Sequence, residues 1–145
     1  MNIVYFAYGS NMDKDQMAHR CLDSIFAGIA MLEGYRFIIN SRSVATVVQD
    51  PPSVVYGALW NLSPADEARL DVYEGVADGL YSKEYITIRP SGNDSPEQQA
   101  MVYIAADRIP GKSRIGYIGK IIAAAEKSQF PKFYIDSLKK WQADK

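Results

Sequence analysis

Apolar positions follow two rhythms along this chain. Up to residue 105 they come in short blocks or alternate, and from residue 115 they recur at helical spacing. Residues 2–8 are an apolar and aromatic block with the character of a strand buried on both faces. Strands are predicted at 25–32, 35–40 and 44–49, with Glu33-Gly34 as a tight turn between the first two. "QDPP" at 49–52 should break the chain before a strong strand at 54–62, because proline cannot donate to a ladder. Further strands are predicted at 81–89 and 100–105, on either side of the polar turn "PSGNDSPEQQ". A short helix fits 13–20. Another starts with Ser63 as N-cap, Pro64 at its first position and Asp66 near its positive end, and should stop by Gly75. After the Pro110-Gly111 loop, Ile115, Ile118, Ile121, Ile122 and Ala125 mark one helical face. Phe130, Tyr134, Leu138 and Trp141 mark another, with Pro131 at its start. The strands therefore precede most of the helix. The class is α+β, with a mostly antiparallel, barrel-like sheet.

Composition narrows the function. The 145 residues are read as a single domain, 1–145, and 48% hydrophobic with 23% charged residues is ordinary for a soluble globular chain. No apolar run approaches the roughly 20 residues that span a bilayer, and no secretory leader is evident, so no membrane partner is expected. The single cysteine, Cys21, cannot form an internal disulfide and suits a reducing compartment, here the cytoplasm. Sixteen basic against seventeen acidic residues leave a net charge of -1, which argues against a nucleic-acid partner. Lys112, Arg114 and Lys120 read as a solvated rim.

The chemistry is limited as well. His19 is the only histidine, so a zinc site is not expected, and no metal or cofactor is predicted. "YGSNM" is not the Gly-x-Ser-x-Gly elbow of a serine nucleophile, and "GYIGK" at 116–120 lacks the spacing of a phosphate loop. Carboxylates, backbone amides and tyrosine hydroxyls remain. Asp13, Asp15, Asp66, Glu67, Glu126 and Asp136 read as solvated. Glu74 differs: in "LDVYEGV" it falls at a helix end among Leu70, Val72 and Val76, where burial would raise its pKa towards that of a general base. Spacing alone favours a glutamate at a frayed helix end, and leaves the general base as the alternative. "YFAYGSNM", residues 5–12, packs aromatics against a turn and reads either as a corner or as a cradle for a small ligand.

Taken together, "YFAYGSNM", "LDVYEGV", "GLYSKEYI", "ATVVQDPPSVVYGALWNLS" and "GYIGKIIAAAEKSQFPKFYIDSL" resemble the γ-glutamylcyclotransferase-like (AIG2-like) family, from about Tyr5 to Leu138. The resemblance implies a small mixed, mostly antiparallel β-barrel flanked by helices. It also implies cyclisation of a small γ-glutamyl substrate to 5-oxoproline, with Glu74 as base and then acid. By the same resemblance Tyr5, Phe6, Ala7, Tyr8, Gly9, Ser10 and Asn11 line the ligand site, Tyr117 adds a hydroxyl, and Tyr81 is a further candidate. Gly9, without a Cβ, would let the amides of the 8–11 turn converge on an anion. "DRIPGKSRIG" would shape the leaving-group pocket. The expected partner is the small-molecule substrate, with the chain working as a monomer or homodimer. Two alternatives stay open: a binding protein of the same fold, and a glycosidase-like pairing of Glu74 with Glu84.

Overall fold

The computed structural model describes residues 3–91 and 96–142; residue 2 of the first predicted strand and residues 92–95 of the polar turn lie outside them. Five strands close into a barrel: β1 (Ile3–Ala7), β2 (Ile25–Ile39), β3 (Ala45–Leu62), β4 (Tyr81–Pro90) and β5 (Gln98–Ala105), in the order β1-β3-β2-β4-β5. Neighbouring strands are antiparallel except β1 and β5, which run parallel with Tyr5 opposite Met101 and so close the ring. Closure removes the free edges that would otherwise invite pairing with another chain. Phe6, Leu32, Leu62, Ile88 and Met101 are all fully buried against the two faces of the barrel sheet.

The predicted strands at 25–32 and 35–40 are one strand, and so are those at 44–49 and 54–62. Gly34 does not reverse the chain. It sits at φ +85°, and the β2–β3 register slips across it, from Glu33 opposite Val54 to Tyr35 opposite Gln49. Residues 50–53 therefore bulge outside the ladder, and Pro51 and Pro52 stand where no backbone donor is required. The glycine and prolines mark an interruption of pairing rather than a break in either strand. Seven predicted segments thus become five strands.

Around the barrel lie α1 (Lys14–Arg20), α2 (Pro64–Tyr73), α3 (Tyr117–Lys127) and α4 (Lys132–Lys139). The start of α2 is a capping box: Ser63 Oγ accepts from the Asp66 amide at 3.1 Å, and Asp66 Oδ2 accepts from the Ser63 amide at 3.2 Å. Asp66 is only 2% exposed and also accepts from the Asp23 amide, so it is a structural acid and not the solvated one expected. In α3, Ile118, Ile121, Ile122 and Ala125 face the core as predicted. Ile115 does not: the helix begins only at Tyr117, and Ile115 is almost wholly exposed. Tyr56 of β3 packs its ring against Phe130 and Tyr134, at centroid distances of 5.5 and 5.1 Å, which ties the C-terminal helices to the barrel wall. Among the described residues no helix is long and apolar enough to cross a membrane.

β1 and β3 approach so closely that a Cβ on Gly57 would lie 2.4 Å from the Ala7 carbonyl oxygen and 2.7 Å from the Phe6 ring. Gly57→Ala should therefore cost about 1–3 kcal/mol or more by overpacking. Gly119→Ala, in an exposed turn of α3 with open space around it, should gain roughly 0.5–1 kcal/mol from helix propensity. Urea unfolding of both variants checks the pair, and equal effects would mean that the contact at Gly57 is not the constraint described.

Candidate active site

The apolar, aromatic β1 carries Tyr5 to the cleft and ends at Ala7, and the chain then turns through a single 3-10 turn at Ser10–Met12. As in any helical first turn, the leading amides have no intrahelical acceptor. Among the described residues nothing accepts from the amides of Ser10 and Asn11. Ala45 and Tyr81 are the first residues of β3 and β4, Tyr103 comes from β5, and Tyr117 begins α3. Glu74 arrives as the C-cap of α2, its amide bonded back to the Leu70 carbonyl at 2.8 Å. These side chains, with Tyr8 and Gly9, line one narrow cleft of about 30 Å³. That is below the volume of a whole ligand pocket, so the cleft suits one end of a small molecule.

Tyr5, Tyr8, Gly9, Ser10, Asn11, Glu74, Tyr81 and Tyr117 are therefore brought together as the sequence suggests. Phe6 and Ala7 are not among the lining residues: they are fully buried, with the Phe6 ring against Gly57. A Cβ at Gly9 would meet Ala45 Cβ at 3.4 Å, an ordinary contact, so space alone does not demand glycine there. Ala45 and Tyr103 are lining residues that the sequence reading missed. Tyr103 left one signal, a lone hydroxyl in the otherwise apolar "AMVYIA", whereas Ala45 acts through its backbone and left none. Glu84 is exposed on β4 and outside the cleft, and among the described residues Glu74 is the one carboxylate that lines it, not the pair a glycosidase would need. His19 is exposed. Among the described residues no three His, Cys, Asp or Glu side chains are grouped to hold a metal ion.

A hydrogen-bond frame fixes the cleft. Gln16 Nε2 and Arg20 Nη1 both donate to Asn11 Oδ1, at 2.9 and 3.1 Å. Asn11 Nδ2 donates to the Tyr5 hydroxyl at 2.9 Å. The Tyr8 hydroxyl donates to the Tyr103 carbonyl at 2.6 Å, and the Tyr103 hydroxyl to Asp71 at 2.7 Å. Tyr81 donates to the Ala45 carbonyl at 2.6 Å, while the Ala45 amide donates to the Tyr117 hydroxyl at 3.0 Å.

Electrostatically the half-buried Glu74 stands apart. Its expected apolar surround is only partly there, since Val72 is 80% exposed; tyrosines supply most of the desolvating wall. Burial pushes its carboxyl up to about 7, against the lowering pull of Arg20, whose guanidinium also lies over the Tyr73 ring at 4.5 Å. Burial, and after it the Glu74 charge, pushes the hydroxyls of Tyr5 and Tyr81 well up, so they stay neutral near pH 7. Glu74 is then the cleft group poised to exchange a proton at neutrality. Two roomier surface grooves, of about 640 and 600 Å³, gather no comparable set of buried hydrogen-bonding groups, so the cleft stands out by its chemistry and not by its size.

A family model described as gamma-glutamyl cyclotransferase, AIG2-like, matches residues 5–118. A mouse protein named gamma-glutamylcyclotransferase is 25% identical over 146 residues, covering 94% of this chain and 77% of the relative. A human protein of the same name is 25% identical over 148 residues, covering 95% and 78%. A solved structure named gamma-glutamyl cyclotransferase shares the fold with a TM-score of 0.89 at 23% identity, covering 99% of this chain and 90% of that one.

The raised pKa of Glu74 has a definite sign in stability. Between its ordinary 4.5 and about 7 the folded state binds a proton that the unfolded state does not, so this contribution to stability declines as pH rises through that window. Glu74→Gln imitates the neutral acid and should gain on the wild type in melting temperature from pH 5 to pH 8. A difference that does not change with pH would mean a solvated carboxylate. Arg20→Met removes the opposing charge and should raise the Glu74 pKa further, as read by carboxyl-carbon NMR.

Proposed function

The chain belongs to the gamma-glutamyl cyclotransferase, AIG2-like family, and from that membership we propose that it cyclises the γ-glutamyl group of a small γ-glutamyl amino acid or amine to 5-oxoproline. In this reaction the substrate's α-amine attacks its own side-chain carbonyl. A C–N bond forms to close a five-membered ring, the γ-amide C–N bond breaks, and the amine departs. The nucleophile belongs to the substrate, so the protein must fold it and relay protons: the α-ammonium gives up two on becoming the ring N–H, and the departing nitrogen takes up two on leaving as an ammonium.

The observation that carries this reading is Glu74, with its carboxyl pushed to about 7, as the carboxylate of a cleft walled by neutral tyrosine hydroxyls. Near pH 7 such a group is about half ionised. It can take one proton of the α-ammonium to free the amine, then carry the proton shed by the ring nitrogen to the leaving nitrogen, with the remaining proton exchanged through water, a cycle that a solvated glutamate performs poorly. The same feature favours turnover over simple retention of a ligand. Holding amine and carbonyl in contact is worth effective molarities of about 10⁵ M or more. The Ser10 and Asn11 amides suit the substrate's α-carboxylate, which would fix that fold. Cys21, buried and unpaired, fits a cytoplasmic setting for the reaction.

Release of 5-oxoproline from γ-glutamyl dipeptides and γ-glutamyl amines tests the proposal, with α-linked isomers as controls. The α-linked compounds should yield none, because ring closure needs a free α-amine and an activated side-chain carbonyl. Glu74→Gln should lower turnover by about 10²–10⁴-fold and change ligand affinity much less. Turnover within a few-fold of wild type, or equal yields from both linkages, would remove the assignment.

A further inference from the structure

The hydroxyls of the cleft are not free to turn. A backbone N–H can only donate and a carbonyl can only accept, so each fixed partner determines what its tyrosine has left to offer. Ala45 polarises two tyrosines in opposite senses. Its carbonyl takes the Tyr81 proton at 2.6 Å, which leaves a Tyr81 lone pair. Its amide occupies a Tyr117 lone pair at 3.0 Å, which leaves the Tyr117 proton. Asn11 does for Tyr5 what the Ala45 amide does for Tyr117. Arg20 is purely a donor, so its bond to Asn11 Oδ1 settles which way the carboxamide faces, and Nδ2 must donate to Tyr5 at 2.9 Å. Gln16 reinforces that orientation from the same helix. Among the described residues nothing accepts the remaining protons of Tyr5 and Tyr117.

From this we infer that the cleft has a built-in polarity: Tyr5 and Tyr117 donate to the substrate's γ-carbonyl oxygen, and Tyr81 accepts, beside Glu74, from its α-ammonium. Gln16 and Arg20, outside the lining, are positioning residues that set the sense of Tyr5 through Asn11. The assignment rests on the cyclotransferase reading and sharpens it. As the ring closes, the C=O pair moves onto oxygen and negative charge grows there, so the two donors act most strongly in the transition state. The ammonium contact is already present in the bound substrate and contributes to binding.

The test uses full-length protein and two probes, γ-glutamyl-alanine and glutaryl-alanine, the second being the first without its α-amine. Tyr117→Phe and Tyr5→Phe should lower kcat on the order of 10²-fold with KM little changed. Tyr81→Phe, measured by calorimetry in a Glu74→Gln background that blocks turnover, should weaken γ-glutamyl-alanine about tenfold or more and leave glutaryl-alanine unaffected. Asn11→Asp keeps the Tyr5 hydroxyl but captures its proton, so it should lower kcat alone and add little on top of Tyr5→Phe. Melting temperatures of all variants separate these effects from misfolding. Tyr81→Phe weakening both probes alike, or Tyr117→Phe raising KM at unchanged kcat, overturns the polarity. If the wild type releases no 5-oxoproline but Tyr81→Phe still shows the amine-dependent loss, the polarity stands and the reaction reading falls.

Discussion

β1 is five residues long and carries two ladders at once, antiparallel to β3 with Tyr5 opposite Trp60 and parallel to β5 with Tyr5 opposite Met101. Its pairing with β5 is what closes the ring. The strand has no room for a side chain that fails to pack, and the absent Cβ of Gly57 is what lets it seat against β3. Because β1 runs directly into the Tyr8–Asn11 turn, the position of that turn is set by the closure itself. The Tyr8 hydroxyl bonded to the Tyr103 carbonyl repeats the β1–β5 link at the cleft. The geometry of the site is thus a by-product of how the barrel is sealed.

That rigidity allows a carboxylate to sit where it is least welcome. At a helix C-terminus, and largely cut off from water, Glu74 meets an unfavourable dipole and a desolvation cost together. A flexible surround would relax and hydrate it. Here the surrounding hydroxyls are held by Ala45, Asn11, Tyr103 and Asp71, so the surround keeps its shape and the proton affinity of Glu74 stays high. Arg20 tempers the effect. The result is a group near neutrality rather than one locked in its protonated form.

Much of this was legible in the sequence because it is written in local terms. The capping residues of α2, the apolar faces of α3 and α4, and the "YGSN" and "YEGV" stretches depend on neighbours a few positions away. What was not legible depends on distant partners. Gly34 and the Pro51-Pro52 pair look like turn signals, and only the register across β2 and β3 shows that they lie at one bulge. Asp66 looks like a surface acid until the Asp23 amide is found beside it. Phe6 and Ala7 share a motif with lining residues but belong to the core. Ala45 has no side-chain chemistry to announce it, yet its peptide holds two tyrosines.

The bond between Tyr8 and Tyr103 joins residues 95 positions apart, and the cleft collects segments from β1 to α3. The β2–β3 hairpin, by contrast, pairs neighbours in sequence, Ile39 with Ala45 at its tight end. Loop closure is cheapest for such local pairs and costliest for the parallel docking of the N-terminal strand. A chain emerging from synthesis can form the hairpin early, but the cleft is not complete until β5 and α3 are in place beside β1. The cleft is therefore completed late and all at once, and a partly folded chain has no half-built version of it.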